Sequence, residues 1–464
     1  MLRNIPAVAL TLLGASTTVL ADTAATCSLT QKCPKETPCC SQYGQCGVGA
    51  YCLGGCDPRM SFSLDSCVPE PVCQDRTLSM KDTSGIVDVG KYLGDSSKAD
   101  WVAQGTPLAH SGNVLLTMPE NSAGTVLAST VYMWYGNVKA KIKTGKDAGV
   151  VTAFILLSDV KDEIDFEWVG TELDIAQTNY YFQGIPDCEI PFPIKRSCHG
   201  SSLLIMYIDT HSTNITGVSD TNDNFHEYEI RWTPDQIQWL VDGKVGRTQL
   251  KSSTWNSTSN QWDYPQTPAR VQLSIWPGGS DQNAQGTIDW AGGPIDWNSA
   301  DIKKDGYYYA TVGEVTIECY KTDKAPGTNS GKSYTYNNAK ATNDTVEDGN
   351  SNTVLKSLLG TGLDMDKDYP SSSSASQTAQ EVIPGLSGGG PGTNGQAAGG
   401  TSDSGSSDSA TNAGSAPQAS CTDGFQQVCG SSDSGNSNEG ARQDRALGAS
   451  AFAASIAVAA MIWA

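Results

Sequence analysis

Cations are scarce in this chain: 30 Lys and Arg stand against 50 Asp and Glu over 464 residues, a formal net charge of -20. That balance excludes nucleic acid and an anionic membrane surface as partners and leaves a neutral polymer as the expected one. Histidine is scarcer still. The four residues lie far apart in sequence, so they offer no metal-ligand spacing, and no metal or other cofactor is expected. Helical periodicity is nearly missing between residues 74 and 323. Short apolar runs take its place, among them Val131 to Ile142, Tyr228 to Trp232, Ile237 to Val241 and Val271 to Trp276, with Gly, Asn, Asp and Pro turns between them. This pattern predicts an all-β sandwich whose curved sheet can offer a concave groove. Large apolar residues are also too few between residues 22 and 73 to make a core. Nine of the 14 cysteines fall there instead, so disulfides must hold that segment together.

What is present at the two ends predicts where the protein works. Arg3 followed by the apolar stretch Ala7 to Leu20 has the form of a secretory signal, residues 1–21, cleaved after Ala21. Secretion agrees with the cysteine count, which an oxidising compartment would pair, and makes Asn214, Asn256 and Asn343 candidates for N-glycosylation. The composition shifts after Lys324, and from Ser371 to Ser437 it is dominated by Ser, Gly, Thr, Asn and Ala. Residues 324–436 are therefore expected to be a disordered, O-glycosylated stalk in which Cys421 and Cys429 close a local loop. Small residues from Ser434 to Asn438, a spacer with Arg442 and Arg445, and the apolar run Ala446 to Ala464 form a glycosylphosphatidylinositol signal. Asn436 is the expected attachment residue and residues 437–464 the propeptide removed in the mature protein.

The segment with the most chemistry is Lys161-Asp162-Glu163-Ile164-Asp165-Phe166-Glu167-Trp168. A period of two puts Glu163, Asp165 and Glu167 on one face of a strand and Ile164, Phe166 and Trp168 on the other. The preceding run, Val150 to Leu157, reads as a buried strand, so the acids belong inside a sheet, where like charges repel and resist desolvation. A solvated acidic face would explain the alternation. Neighbouring carboxylates with split pKa values are what glycosidic bond cleavage requires, and the trio points to that chemistry.

The spacing Cys27, Cys33, Cys39-Cys40-Ser41-Gln42-Tyr43-Gly44, Cys46-Gly47, Tyr51-Cys52, Cys56 resembles the hevein-like chitin-binding module, assigned to residues 22–73. The resemblance implies the pairs Cys27 with Cys40, Cys33 with Cys46 and Cys39 with Cys52. Cys56 with Cys67 would follow, Cys188 and Cys198 look like a pair across one loop, and Cys73 and Cys319 are left over and could tie the ends of the catalytic domain. It also implies sugar contacts at Ser41, Tyr43 and Tyr51, while the remaining aromatic position of that family is Gln45 here. Deleting the module is expected to weaken chitin retention and leave turnover of soluble oligomers largely intact, unless Cys73 pairs with Cys319.

The acid motif, with Gln177-Thr178-Asn179-Tyr180-Tyr181, Phe225 to Trp232, Trp239 to Gly243 and Ser274-Ile275-Trp276-Pro277-Gly278-Gly279, resembles glycoside hydrolase family 16. The segment Gly286 to Gly293 narrows the likeness to the fungal Crh group of cell-wall transglycosylases, over about residues 75 to 320. The resemblance implies a β-jelly-roll over residues 74–323 and a retaining mechanism, with Glu163 as nucleophile, Glu167 as acid/base and Asp165 as helper. It makes Gln272, Trp276 and Thr287 sugar contacts beside Glu167, with Gln177, Asn179 and Tyr135 as further ones. Gln272, Ser274 and Trp276 share a strand face, which predicts a half-exposed Trp276. His226 is expected to be a structural hydrogen-bonding residue. The expectation is a monomeric enzyme at the cell surface, lipid-anchored or attached to the wall, that joins chitin to β-glucan. A hydrolytic glucanase or chitinase and a lectin-like wall protein are the alternatives.

Overall fold

The computed structural model describes residues 25–185 and 211–369. The expected signal segment, Cys188 and Cys198, Cys421 and Cys429, Asn436 and the apolar C-terminal run lie outside the described residues.

Alternating side chains build two eight-stranded sheets that close on a shared core. The sheet carrying the acids consists of β1 (Ile86–Asp88), β2 (Trp101–Gln104), β3 (Thr125–Met133), β4 (Val150–Ser158), β5 (Glu163–Val169), β6 (Ile175–Tyr181), β7 (Thr213–Thr216) and β8 (Ala269–Pro277). Across the sheet the order is β7-β6-β5-β4-β8-β3-β2-β1, antiparallel except for the pair β1 and β2. The facing sheet runs Lys244–Leu250, Gln236–Val241, His226–Trp232, Gly136–Lys143, Tyr307–Cys319, Asn113–Pro119 and Thr106–His110, with Arg76–Ser79 also paired to Tyr307–Cys319. The all-β jelly-roll sandwich expected from the sequence is the architecture that forms.

Burial fixes the register of β5. Ile164, Phe166 and Trp168 point into the core, where Phe166 stacks between Phe154 at 6.2 Å and Trp168 at 5.7 Å. Each large apolar side chain buried this way stabilises the fold by about 1.5–3 kcal/mol. A one-residue slip would exchange all three for carboxylates, so Glu163, Asp165 and Glu167 are committed to the outer face. From the facing sheet, the Trp239 indole N–H crosses the core and donates to the Asp165 carbonyl oxygen at 2.8 Å.

Among the described residues five disulfides are present: Cys27–Cys40, Cys33–Cys46, Cys39–Cys52, Cys56–Cys67 and Cys73–Cys319. The last closes a separation of 246 residues, which in the loop-entropy description stabilises the fold by about 5–6 kcal/mol. His226 is structural as expected: its ring nitrogens meet Ser219 Oγ at 2.8 Å and Asp242 Oδ2 at 2.7 Å.

The expected stalk boundary needs correction, because residues 324–369 are folded. Ser333–Tyr336 pairs with Val346–Gly349 and with Glu70–Pro71, making a third sheet that joins this segment to the disulfide module. Tyr334 is buried edge-on to Trp134, and Leu355 and Leu358 are buried against the module. Leu355 contacts the cluster of Cys39, Tyr51, Cys52, Leu53, Cys56 and Val68. A few well-placed apolar residues inside a polar stretch are enough to fold it as a strap, and average composition hides them.

Candidate active site

The strand registers align the outer-face side chains of β6, β5, β4 and β8 in rows. One row reads Tyr181, Glu163, Leu157, Arg270; the next Asn179, Asp165, Ile155, Gln272; the third Gln177, Glu167, Ala153, Ser274. Apolar Ala153, Ile155 and Leu157 form a small cluster on the outer side of β4, next to the acids. The carboxylates are well shielded from solvent for an outer face. Glu163 is 3% and Asp165 2% exposed, while Glu167 is half-buried. Three acids thus share one strand face in surroundings that make charge expensive, the condition that separates the roles of neighbouring carboxyls.

The hairpin turn leading into β5 is held rigidly. Asp162 points away from the acid row, and its carboxylate accepts hydrogen bonds from Gln183 N–H (2.9 Å), Gln266 N–H (2.8 Å), Thr267 N–H (3.0 Å) and Thr267 Oγ1 (2.7 Å). Burial pushes its pKa up to about 6 in spite of those donors. Lys161 is buried beside Asp57, Arg59 and Glu163, and burial brings its ammonium down to about 8. The alternation in this motif shows Glu163 but gives no hint of what Asp162 and Lys161 do, since their partners come from distant segments.

At the Glu167 end the aromatic arrangement departs from expectation. Trp276 is 2% exposed and lies in a cluster with Val151 and Ala291, stacked on Trp290 at 6.0 Å. The half-exposed indole is Trp290, at the end of the short helix α1 (Gln285–Trp290), and its N–H donates to Gln177 Oε1 at 2.8 Å. Sequence alternation put Trp276 on the correct face and missed the covering loop. Thr287 is buried on α1. Ser274 Oγ and Trp276 Nε1, both buried on the outer side of β8, have no hydrogen-bond partner among the described residues.

Gln177, Asn179 and Tyr181 are half-buried on the acid-bearing face, and the Asn179 amide donates to the Tyr181 hydroxyl at 3.0 Å. Tyr181, in the Glu163 row, is a site candidate that sequence reasoning passed over. Tyr135 is a correction. It has 0% exposure in the core, held between Trp232 at 4.6 Å and Tyr320 at 6.0 Å, so no sugar meets it.

The disulfide module is the larger correction, because its expected sugar-binding face does not look outward. Ser41 and Tyr51 are buried, Tyr51 against Leu355 of the strap. Tyr43 donates from its hydroxyl to Gln104 Oε1 at 2.8 Å, and burial pushes its pKa up to about 12. Gln42 Oε1 accepts from Arg270 Nη2 at 3.3 Å and from Gln272 Nε2 at 3.4 Å. Gln272, expected to be a groove residue, is therefore buried at the contact with the module. Local cysteine spacing set the fold of the module and could not show what its surface would meet. Of the three sequons, Asn214 is exposed on β7, whereas Asn256 donates its amide to Asp263 at 2.7 Å and Asn343 is half-buried in the strap.

The sequence profile of Glycosyl hydrolases family 16 matches residues 95–292. Crh-like protein 3 of Botryotinia fuckeliana is 60% identical over 341 residues, 74% of this chain and 72% of that protein. Crh-like protein 2 of Aspergillus fumigatus is 51% identical, covering 81% of each chain. Congo red hypersensitive protein 2 of Saccharomyces cerevisiae is 43% identical over 76% of this chain and 72% of that protein. Taken with the two-sheet sandwich and its row of three carboxylates, these matches show that the chain belongs to glycosyl hydrolases family 16, among its Crh-like proteins.

Proposed function

We infer that this protein is a retaining glycosidase that transfers chitin onto β-1,3- or β-1,6-glucan in the fungal cell wall. The observation that carries the reading is the single row of Glu163, Asp165 and Glu167 on one shielded strand face. Glu163 attacks the anomeric carbon while Glu167 gives its proton to the departing oxygen, leaving a sugar esterified to Glu163 and a chain fragment with a new hydroxyl. An acceptor hydroxyl then displaces the ester, and Glu167 takes its proton. Esterification removes one negative charge beside Glu167, which makes it a readier base for the second step. Asp165 hydrogen-bonds and tunes the pair. Gln177, Asn179 and Tyr181 beside the acids and Trp290 above them supply polar and stacking contacts for a saccharide.

Secretion, N-glycosylation and a lipid anchor at Asn436 complete the proposal, and they rest on the sequence signals at the two ends. An anchored enzyme beside an insoluble polymer meets acceptor glycans at high effective concentration, which favours transfer over hydrolysis. The test supplies chitin oligomers with a labelled laminarin oligomer. Hybrid products with the β configuration kept are expected. Free, shortened chitin oligomers alone, even at high acceptor concentration, would make the protein a hydrolase.

A further inference from the structure

We infer that the disulfide module is the end wall of the catalytic groove: seated on β8, β3 and β2 through its Ser41 to Tyr43 face, it leaves a saccharide only a short arm on that side of the acids. The inference rests on the glycosidase reading above.

The direction of the groove follows from the acids. Retaining chemistry needs its two carboxylates on opposite sides of the scissile bond. Here they are separated along β5, so the sugar chain must cross β5 between them and run across the strands. One arm then passes over β6 and β7, and the other over β4 towards β8. On β8 the second arm meets Gln42, whose carbonyl oxygen holds both Arg270 and Gln272, the row partners of Glu163 and Asp165. Two strand spacings separate β5 from β8, about 10 Å, which is room for about two sugar units.

Beyond β8 the path is filled. Tyr43 reaches over to Gln104 on β2. Gly54 lies against the Arg270 guanidinium so closely that a Cβ there would sit 2.3 Å from Nη1. The space left between module and sheet, lined by Ser41, Gln42, Val102, Ala128 and Gln272 among others, is about 40 Å3, enough for a water or two and too small for a sugar ring. Attachment continues around the Glu163 end of the strands. The Gly55 N–H donates to Asp159 Oδ1 at 2.8 Å, and Arg59 Nη1 donates to Gln183 Oε1 at 3.0 Å. From behind, the strap holds the module in place, with Gly49 N–H on the Gly360 carbonyl and Gly362 N–H on the Ser66 carbonyl, both at 2.8 Å. Docked this way, the module cannot grip chitin through Ser41, Tyr43 and Tyr51.

The test compares the whole protein with a Gln42→Ala, Tyr43→Ala double variant on end-labelled chitin oligomers of six to eight units. The intact protein should give a product distribution with one arm limited to about two sugars. The variant should lengthen that arm by at least one sugar, since the disulfides still hold its fold. Identical distributions would overturn the wall assignment. Deuterium exchange of the intact protein without substrate reads the docking independently. The Gly55 amide, donated to Asp159, should exchange slowly, and rapid exchange there would overturn the docking whatever the enzyme cuts. If no form of the protein cuts any oligomer while Gly55 stays protected, the glycosidase reading fails and the docking stands.

Discussion

The acid strand and the disulfide module lie side by side and are held by different forces. β5 rests on the core through Ile164, Phe166 and Trp168, and its middle is pinned by the Trp239 N–H. The module is closed by four disulfides of its own and joined to the sheet through Gln42, Tyr43, Gly55 and Arg59, with apolar contact mainly to the strap. The acids proposed as catalytic thus sit on a backing of packed core side chains, where small displacements are costly. The wall is attached by polar contacts that single substitutions can change without emptying the core.

Glu163→Gln should lower turnover at least about 10^4-fold, as loss of a nucleophile does, measured as product release from chitin oligomers. Glu167→Gln should be nearly as severe on those oligomers and much milder on a donor with a good leaving group, because only acid help to departure is missing.

Breaking the tie between the two ends of the folded region comes next. Cys73→Ser with Cys319→Ser should cost about 3–5 kcal/mol of stability, read as a lower Tm, while the rows on the acid-bearing face keep their register. At the Glu167 end, Trp290→Ala should raise KM by roughly tenfold with little change in kcat, consistent with about 1–1.5 kcal/mol of lost stacking. Trp239→Phe keeps the core filled and removes one buried donor. A loss of about 1 kcal/mol in stability is expected, with kcat lowered more than KM is raised, because the Asp165 backbone loses its anchor. Equal kinetics in that variant would show that the indole only fills space.

The smallest effect concerns pH. Burial pushes Asp159 and Asp162 up to about 6, and Glu70 beside Asp159 is raised as well. Between about pH 4 and 6 the folded protein therefore holds protons that the unfolded chain has released, so stability falls as pH rises through that window. The Tm should be higher at pH 5 than at pH 7.5. Asp162→Asn should flatten part of the difference.

Much of this was legible in the chain. Alternation alone oriented Glu163, Asp165 and Glu167, because period-two patterning is a property of the strand itself. The cysteine framework gave the module its pairs on the same local footing. What escaped depended on distant segments meeting. Tyr135 carries a hydroxyl, yet its neighbour Trp134 and the distant Trp232 and Tyr320 enclose its ring. Trp276 was placed on the correct face, but its cover, Trp290, comes from the loop that follows. Leu355 and Leu358 belong to the short apolar pairs Val354-Leu355 and Leu358-Leu359 in a polar stretch, and their value appears only when Tyr51 and Ala50 are opposite them. Ser41 and Tyr43 keep the sequence of a sugar-binding face, but Tyr43 gives its hydroxyl to Gln104 and Ser41 Oγ accepts from the Tyr43 and Gln45 amides of the module itself.

The central claim is that a sugar becomes covalently attached to Glu163. The most direct test is acid quenching of the Glu167→Gln variant during turnover of an activated chitin-oligomer donor, followed by peptide mass mapping. A glycosyl adduct is expected on the peptide spanning Glu163, localised to that residue by fragmentation. Rapid donor consumption with no adduct there, or with the adduct on another carboxylate, would contradict the account.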